Sequence, residues 1–159
     1  MSNLEKKSVQ VVKRYIETLD INIKLIELDS TARTAEDAAN SLNQEVGSIV
    51  KSLLFKSLEN EFYLCLVSGD KYLSTEKVAK ITGNIIFKSS ADEVKRQTGF
   101  SIGGVSPIAH TIPPDRVFID KNLDRFSMVY AAAGHPYVVF GITYLDLLNT
   151  TMAEEKDIT

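Results

Sequence analysis

The sequence predicts an α+β fold (α/β in the broad sense): a mixed, largely antiparallel, barrel-like sheet with peripheral helices. Three observations predict it. Apolar residues recur at two periods, in short alternating runs and at helical spacing. The two kinds of run are interspersed without the regular strand–helix–strand alternation of a parallel sheet. At 159 residues the chain fits one domain, spanning 1–159, with room for a real core.

The elements follow in order. "NLEKKSVQVVKRYIETLD" puts Leu4, Val12, Tyr15, Ile16 and Leu19 at roughly helical spacing, which predicts an amphipathic helix over about 4–20. "IKLIEL" is a short strand. "TAEDAANSLN" opens at Thr34, an N-cap with Asp37 three residues on, and ends near Asn43. "SIVKSLLFKS" and "EFYLCLVSG", separated by "LEN", read as an antiparallel hairpin. A helix capped by Ser74 stops at Gly83, "NIIFK" is a brief strand, and a helix capped by Ser90, with Glu93 at its third position, stops at Gly99. "RVFID", "FSMVYAAAG" and "YVVFGIT" are strands. "TYLDLLNTT" is a helix capped by Thr143, and "AEEKDIT" is expected to fray.

Composition excludes several classes. Hydrophobic residues at 44% and charged residues at 25% are ordinary for a globular protein. A net charge of -3 gives no global basic field, which argues against a long phosphate footprint but not against contact with the tip of a nucleic acid. One cysteine rules out an internal disulfide framework and a Cys-cluster metal site. "MSNLEKKSVQ" lacks the apolar core of a signal peptide, and no run approaches the roughly 20 apolar residues of a membrane span. The expectation is a cytoplasmic protein with no membrane contact.

Three pieces could carry chemistry. Strand alternation puts Lys51 on one face with Ile49, Leu53 and Phe55. It is either a lysine snorkelling at a strand end or a cation held at the rim of an apolar pocket, where weak screening strengthens its pull on an anion or carbonyl. In "TGFSIGGVSPIAH", Gly99 serves as a helix stop, whereas Gly103 and Gly104 lie beyond the helix and Pro107 stiffens the exit. Such a segment is either a tight turn or a backbone cradle whose N–H groups hold an oxyanion or a water. No Lys-Ser or Lys-Thr follows the glycines and no Gly stands two places after Ser106, so it is neither a phosphate loop nor a nucleophile elbow. In "YAAAGHPYVVF" the small residues either line a cavity or mark close packing, and His135 is either a functional imidazole or a turn residue. His110 carries the same ambiguity. Two histidines without neighbours at ligand spacing predict no zinc site. Cys65, alternating with Tyr63 and Val67, reads as a core thiol.

Taken in order, "VGSIVKSLLFK", "ADEVKRQTGFSIGGVSPIAH" and "AAAGHPYVVFGITYLDLL" resemble the YbaK/ProX family of aminoacyl-tRNA deacylases, freestanding relatives of the editing domain inserted in bacterial prolyl-tRNA synthetases. The resemblance spans about 34–148. It implies a mixed, barrel-like β structure and a trans-editing hydrolase, with no cofactor and no metal. The reaction implied is cleavage of the ester between a wrong amino acid, such as Ala, Ser or Cys, and the 3′-terminal ribose of a tRNA for Pro or a related tRNA. Lys51 matches the family's pocket lysine, "GGVSP" its Gly-x-x-x-Pro loop, and Gly134 the glycine of its second small-residue loop. Catalytic roles are thereby expected for Lys51, Gly103 and Gly134, and substrate contacts for Gly104, Val105, Ser106, Pro107, Ala132, Ala133 and His135. The implied partners are the aminoacyl-tRNA acceptor end and a synthetase. Relatives acting on Cys-tRNA often carry an Ala-Gly-Lys-Arg-Gly-like segment where this chain has "AGHPYVV", which places it nearer the ProX-like branch. The competing function is a non-catalytic module that binds aminoacyl-adenosine or docks on a synthetase.

Overall fold

The computed structural model describes residues 2–159. In chain order the elements are α1 (Lys7–Glu17), β1 (Leu25–Glu27), α2 (Ala35–Leu42), β2 (Val50–Ser57), β3 (Phe62–Ser68), α3 (Thr75–Thr82) and β4 (Ile86–Lys88). There follow α4 (Ala91–Thr98), β5 (Arg116–Asp120), β6 (Val129–His135), β7 (Val138–Ile142), α5 (Tyr144–Thr151) and β8 (Glu154–Lys156). The caps explain the helix starts. Thr34, Ser74, Ser90 and Thr143 each accept a backbone N–H three residues on, and Ser90 completes a capping box with Glu93. Gly83 and Gly99 end α3 and α4 in the left-handed conformation that a glycine adopts without a Cβ clash.

The strands form two sheets, ordered β1-β7-β6 and β4-β2-β3-β5-β8. The β2–β3 hairpin pairs Lys51 with Val67, Leu53 with Cys65 and Phe55 with Tyr63. Alternation then divides the hairpin between two cores. Val50, Leu54, Leu64 and Leu66 join Val9, Val12, Ala131, Ala133 and Phe140 in the larger one. Phe55, Tyr63, Cys65 and Val67 join Val78, Phe118 and Ile158 in the smaller. Covered on both faces, β3 is buried throughout, as a continuous apolar run requires.

Three expectations need correction. The sheet is mixed and mainly antiparallel, with β3–β5 and β5–β8 parallel, but it is not a barrel. Neither sheet closes; the two pack on each other through the larger core, and one isolated bridge, Ile49 with Tyr130, links their backbones. The strand expected from Phe126 starts only at Val129, because a 3-10 turn over Lys121–Arg125 turns the chain first. The C-terminal stretch does not fray. β8 pairs in parallel with β5, Arg116 forks onto Glu154 at 2.9 and 2.7 Å, and Ile158 is fully buried. No helix among the described residues is long and apolar enough to cross a membrane.

Candidate active site

The site begins where the two sheets part. Paired residues on neighbouring strands share a face, so the parallel bridge puts Ile49 and Tyr130 on one side. Lys51 and Ala132, two residues further along each strand, lie on that same side. Beyond the bridge β2 and β6 run in different sheets. α2 packs beside the bridge, with Ala35, Ala38 and Ala39 against Ile49 and with Tyr130 partly buried beside them.

Lys51 is half-buried. Its ammonium donates to the Lys71 carbonyl and lies 4.8 Å from the centre of the Tyr72 ring. Burial pushes its pKa below the ordinary lysine value, while the charges of Glu36, Asp70 and Asp120 oppose that shift.

The glycine loop has two distinct glycines. Gly103 (φ +97°) occupies the third position of a turn closed by the Gly104 N–H on the Ser101 carbonyl at 3.0 Å. Positive φ at that position favours glycine. The Gly104 N–H is therefore committed to the turn, whereas the Gly103 N–H meets no acceptor among the described residues. Gly104 is glycine for a different reason. A Cβ there would stand 2.8 Å from the His135 backbone nitrogen, so the loop rests directly on the end of β6. Beyond it, Val105 packs in the larger core, and Ser106 is buried with its hydroxyl accepting from the Ile108 N–H at 3.2 Å. Pro107 faces a hollow of about 510 Å³ on the α1 side, shared with Tyr15, His110 and Pro113, which contains neither Lys51 nor Gly103.

On β6, alternation separates the alanines. Ala131 and Ala133 are buried in the larger core, while Ala132 is half-buried on the opposite face. At Gly134 (φ +91°), inside the bulge between Ala132 and His135, a Cβ would stand 2.5 Å from the Ser8 carbonyl oxygen. Packing against α1 thus accounts for that glycine. The His135 Nδ1 accepts from the Tyr137 N–H at 3.1 Å, which leaves Nε2 as the N–H of the neutral ring. Burial, with repulsion from Lys6 and Arg33, lowers the His135 pKa and favours that neutral form. His110, mostly buried, instead bonds the Ser106 carbonyl through Nε2 at 2.6 Å. Cys65 is a core thiol whose pKa burial pushes up to about 12.

The Arg33 side chain lies over Gly103, its Cγ 3.3 Å from where a Cβ would stand. One turn further, the Glu36 charge acts on Lys51. Arg33, Glu36 and Tyr72 escaped the sequence analysis. Only "TARTAED" hinted at the first two, as charges flanking a helix cap, and nothing in "DKYL" marked the tyrosine.

The model of the aminoacyl-tRNA editing domain matches residues 29–150, a span that contains Arg33, Glu36, Lys51, Tyr72, Gly103 and Ala132. The chain belongs to that family. Among relatives of the editing domain, the uncharacterized protein YwhH of Bacillus subtilis (strain 168) is 32% identical over 108 residues, 68% of each protein. The proline–tRNA ligase of Sulfurihydrogenibium sp. (strain YO3AOP1) is 31% identical over 101 residues, 64% of this chain but 17% of the ligase. The crystal structure of a candidate trans-editing enzyme for prolyl-tRNA synthetase superposes with a TM-score of 0.90 at 36% identity, covering 97% of this chain and 98% of that one. The two-sheet architecture described above is thus the editing-domain fold.

Proposed function

We propose that the protein is a trans-acting aminoacyl-tRNA deacylase. Water adds to the ester carbon joining a mischarged amino acid to the 3′-terminal ribose; the bond to the ribose oxygen then breaks, releasing the free acid and the ribose hydroxyl. An aminoacyl ester is already activated, so a site that positions the carbonyl and stabilises the oxyanion suffices. The Lys51 ammonium faces the ester oxygens, and the unpartnered Gly103 N–H donates to the oxyanion. A donor of that kind is typically worth about 2.7–4 kcal/mol. Gly104 acts by close packing that fixes the turn against β6, Gly134 by close packing that seats β6 on α1, and the His135 Nε2–H offers one further donor to the substrate.

The observation that supports this proposal is the match of residues 29–150 to the aminoacyl-tRNA editing domain, a span that holds both Lys51 and the Gly103 turn. Selectivity for Ala, Ser or Cys follows from Ala132, which leaves room for a small side chain. A single methylene is worth only about 1–3 kcal/mol in such a pocket, so exclusion by size is what makes a second sieve useful.

The test is release of free amino acid from tRNA charged separately with Ala, Ser, Cys and Pro. Hydrolysis of at least one small-residue ester, with Pro-tRNA spared, is expected. A pure binding module, or a domain that only docks on a synthetase, leaves every ester intact.

A further inference from the structure

We infer that Tyr72 is the platform on which the 3′-terminal base of the substrate stacks, an inference that rests on Lys51 meeting the ester. Tyr72 is 84% exposed, so its ring contributes almost nothing to the core, yet the loop presenting it is tied down at both ends. The Lys71 N–H bonds the Ser68 carbonyl at 3.0 Å, and the Ser74 N–H bonds the Ile158 carbonyl at 2.7 Å. Between them Asp70 receives Arg125 through two nitrogens, at 3.1 and 2.7 Å. A rigidly mounted aromatic loses little freedom when a ligand lands on it.

Its position then decides what it meets. The Lys51 ammonium lies over the ring, 4.8 Å from its centre, and the rest of the ring is open to solvent. In the terminal nucleotide, base and ester are attached to the same ribose. With the ester at Lys51, the base must lie within a sugar's width of it, where Tyr72 is the exposed aromatic side chain in contact with the lysine. Stacking accepts any base, and it needs no phosphate contact, which suits a chain of net charge -3.

The experiment compares wild type, Tyr72→Ala and Tyr72→Trp on two probes. One is mischarged tRNA in steady-state deacylation. The other is a non-hydrolysable 3′-aminoacylamino-adenosine, with a matched analogue lacking the base, in equilibrium binding. Tyr72→Ala is expected to raise KM and weaken analogue binding by about 5- to 150-fold with little change in kcat, and Tyr72→Trp to restore both. Removing the base should cost the wild type a similar factor and the Ala variant nothing more. Unchanged KM and binding in Tyr72→Ala overturn the inference, as does a change confined to kcat or its pH profile, which would mean that Tyr72 acts only through Lys51. If the wild type hydrolyses no ester but binds the analogue in a Tyr72-dependent way, the stacking stands and the deacylase proposal falls. If it neither hydrolyses nor binds, both fall.

Discussion

Gly104 rests against His135 so closely that no side chain fits between them: a Cβ would stand 2.8 Å from the His135 nitrogen and 2.9 Å from its Cα. Both obstacles are backbone, so neither can swing aside. This contact sets the distance between the glycine turn and β6.

Gly104→Ala must therefore move a strand end or a loop. We expect a loss of about 1–3 kcal/mol in denaturant unfolding, accompanied by a fall in deacylation as the Gly103 N–H shifts. Gly83→Ala is the control. That residue also has positive φ, +74°, but nothing lies within 4 Å of a Cβ there, so it should lose about 1 kcal/mol and keep its activity.

The high-pH limb of deacylation should report Lys51. Its ammonium is the useful form, and its pKa is lowered by burial, so enzyme-dependent turnover, corrected for spontaneous ester hydrolysis, falls at a lower pH than an ordinary lysine near 10.4 dictates. Glu36 supports the charged form. Glu36→Gln should move that midpoint further down, and a shift upward would remove Glu36 from the electrostatics of the site.

The α4 capping box makes a separate prediction about acid stability. The hydrogen bond from Lys56, aided by the Ser90 backbone N–H, holds the Glu93 carboxyl at about 2, against roughly 4.3 in the unfolded chain. A depressed carboxyl stabilises the fold fully above the unfolded value and loses that contribution as pH falls toward the folded one. In thermal melts from pH 5 to 2, Glu93→Gln should show a shallower fall in Tm than wild type.

Ile158 tests the C-terminus. Fully buried against Val78 and Phe118, it should cost about 2–5 kcal/mol when replaced by Ala. A frayed tail would lose almost nothing.

Much of the fold was legible because its causes are local. Thr34, Ser74, Ser90 and Thr143 announce helices through hydroxyls that cap the next three residues, and the β2–β3 alternation follows from the pleat. β8 was not legible. Three polar residues gain their order from β5, from Arg116 on Glu154, and from Ile158 reaching a core built by distant segments. The bridge between Ile49 and Tyr130 that links the two sheets was equally hidden, because it leaves no local pattern. As site residues Lys51, Gly103 and His135 rest on the motif resemblance, while close backbone contacts account for glycine at Gly104 and Gly134. Arg33, Glu36 and Tyr72 have no motif; their relevance comes from where the chain's turns set them down.

The most direct measurement is single-turnover deacylation of Ala-, Ser- and Cys-charged tRNA for proline by the wild type and by Lys51→Ala, with circular dichroism to verify that the variant is folded. The expected result is hydrolysis by the wild type and at least about a hundredfold slower hydrolysis by the folded variant, the loss typical of one oxyanion-stabilising group. Wild-type rates in Lys51→Ala would contradict the assignment of that lysine to the ester.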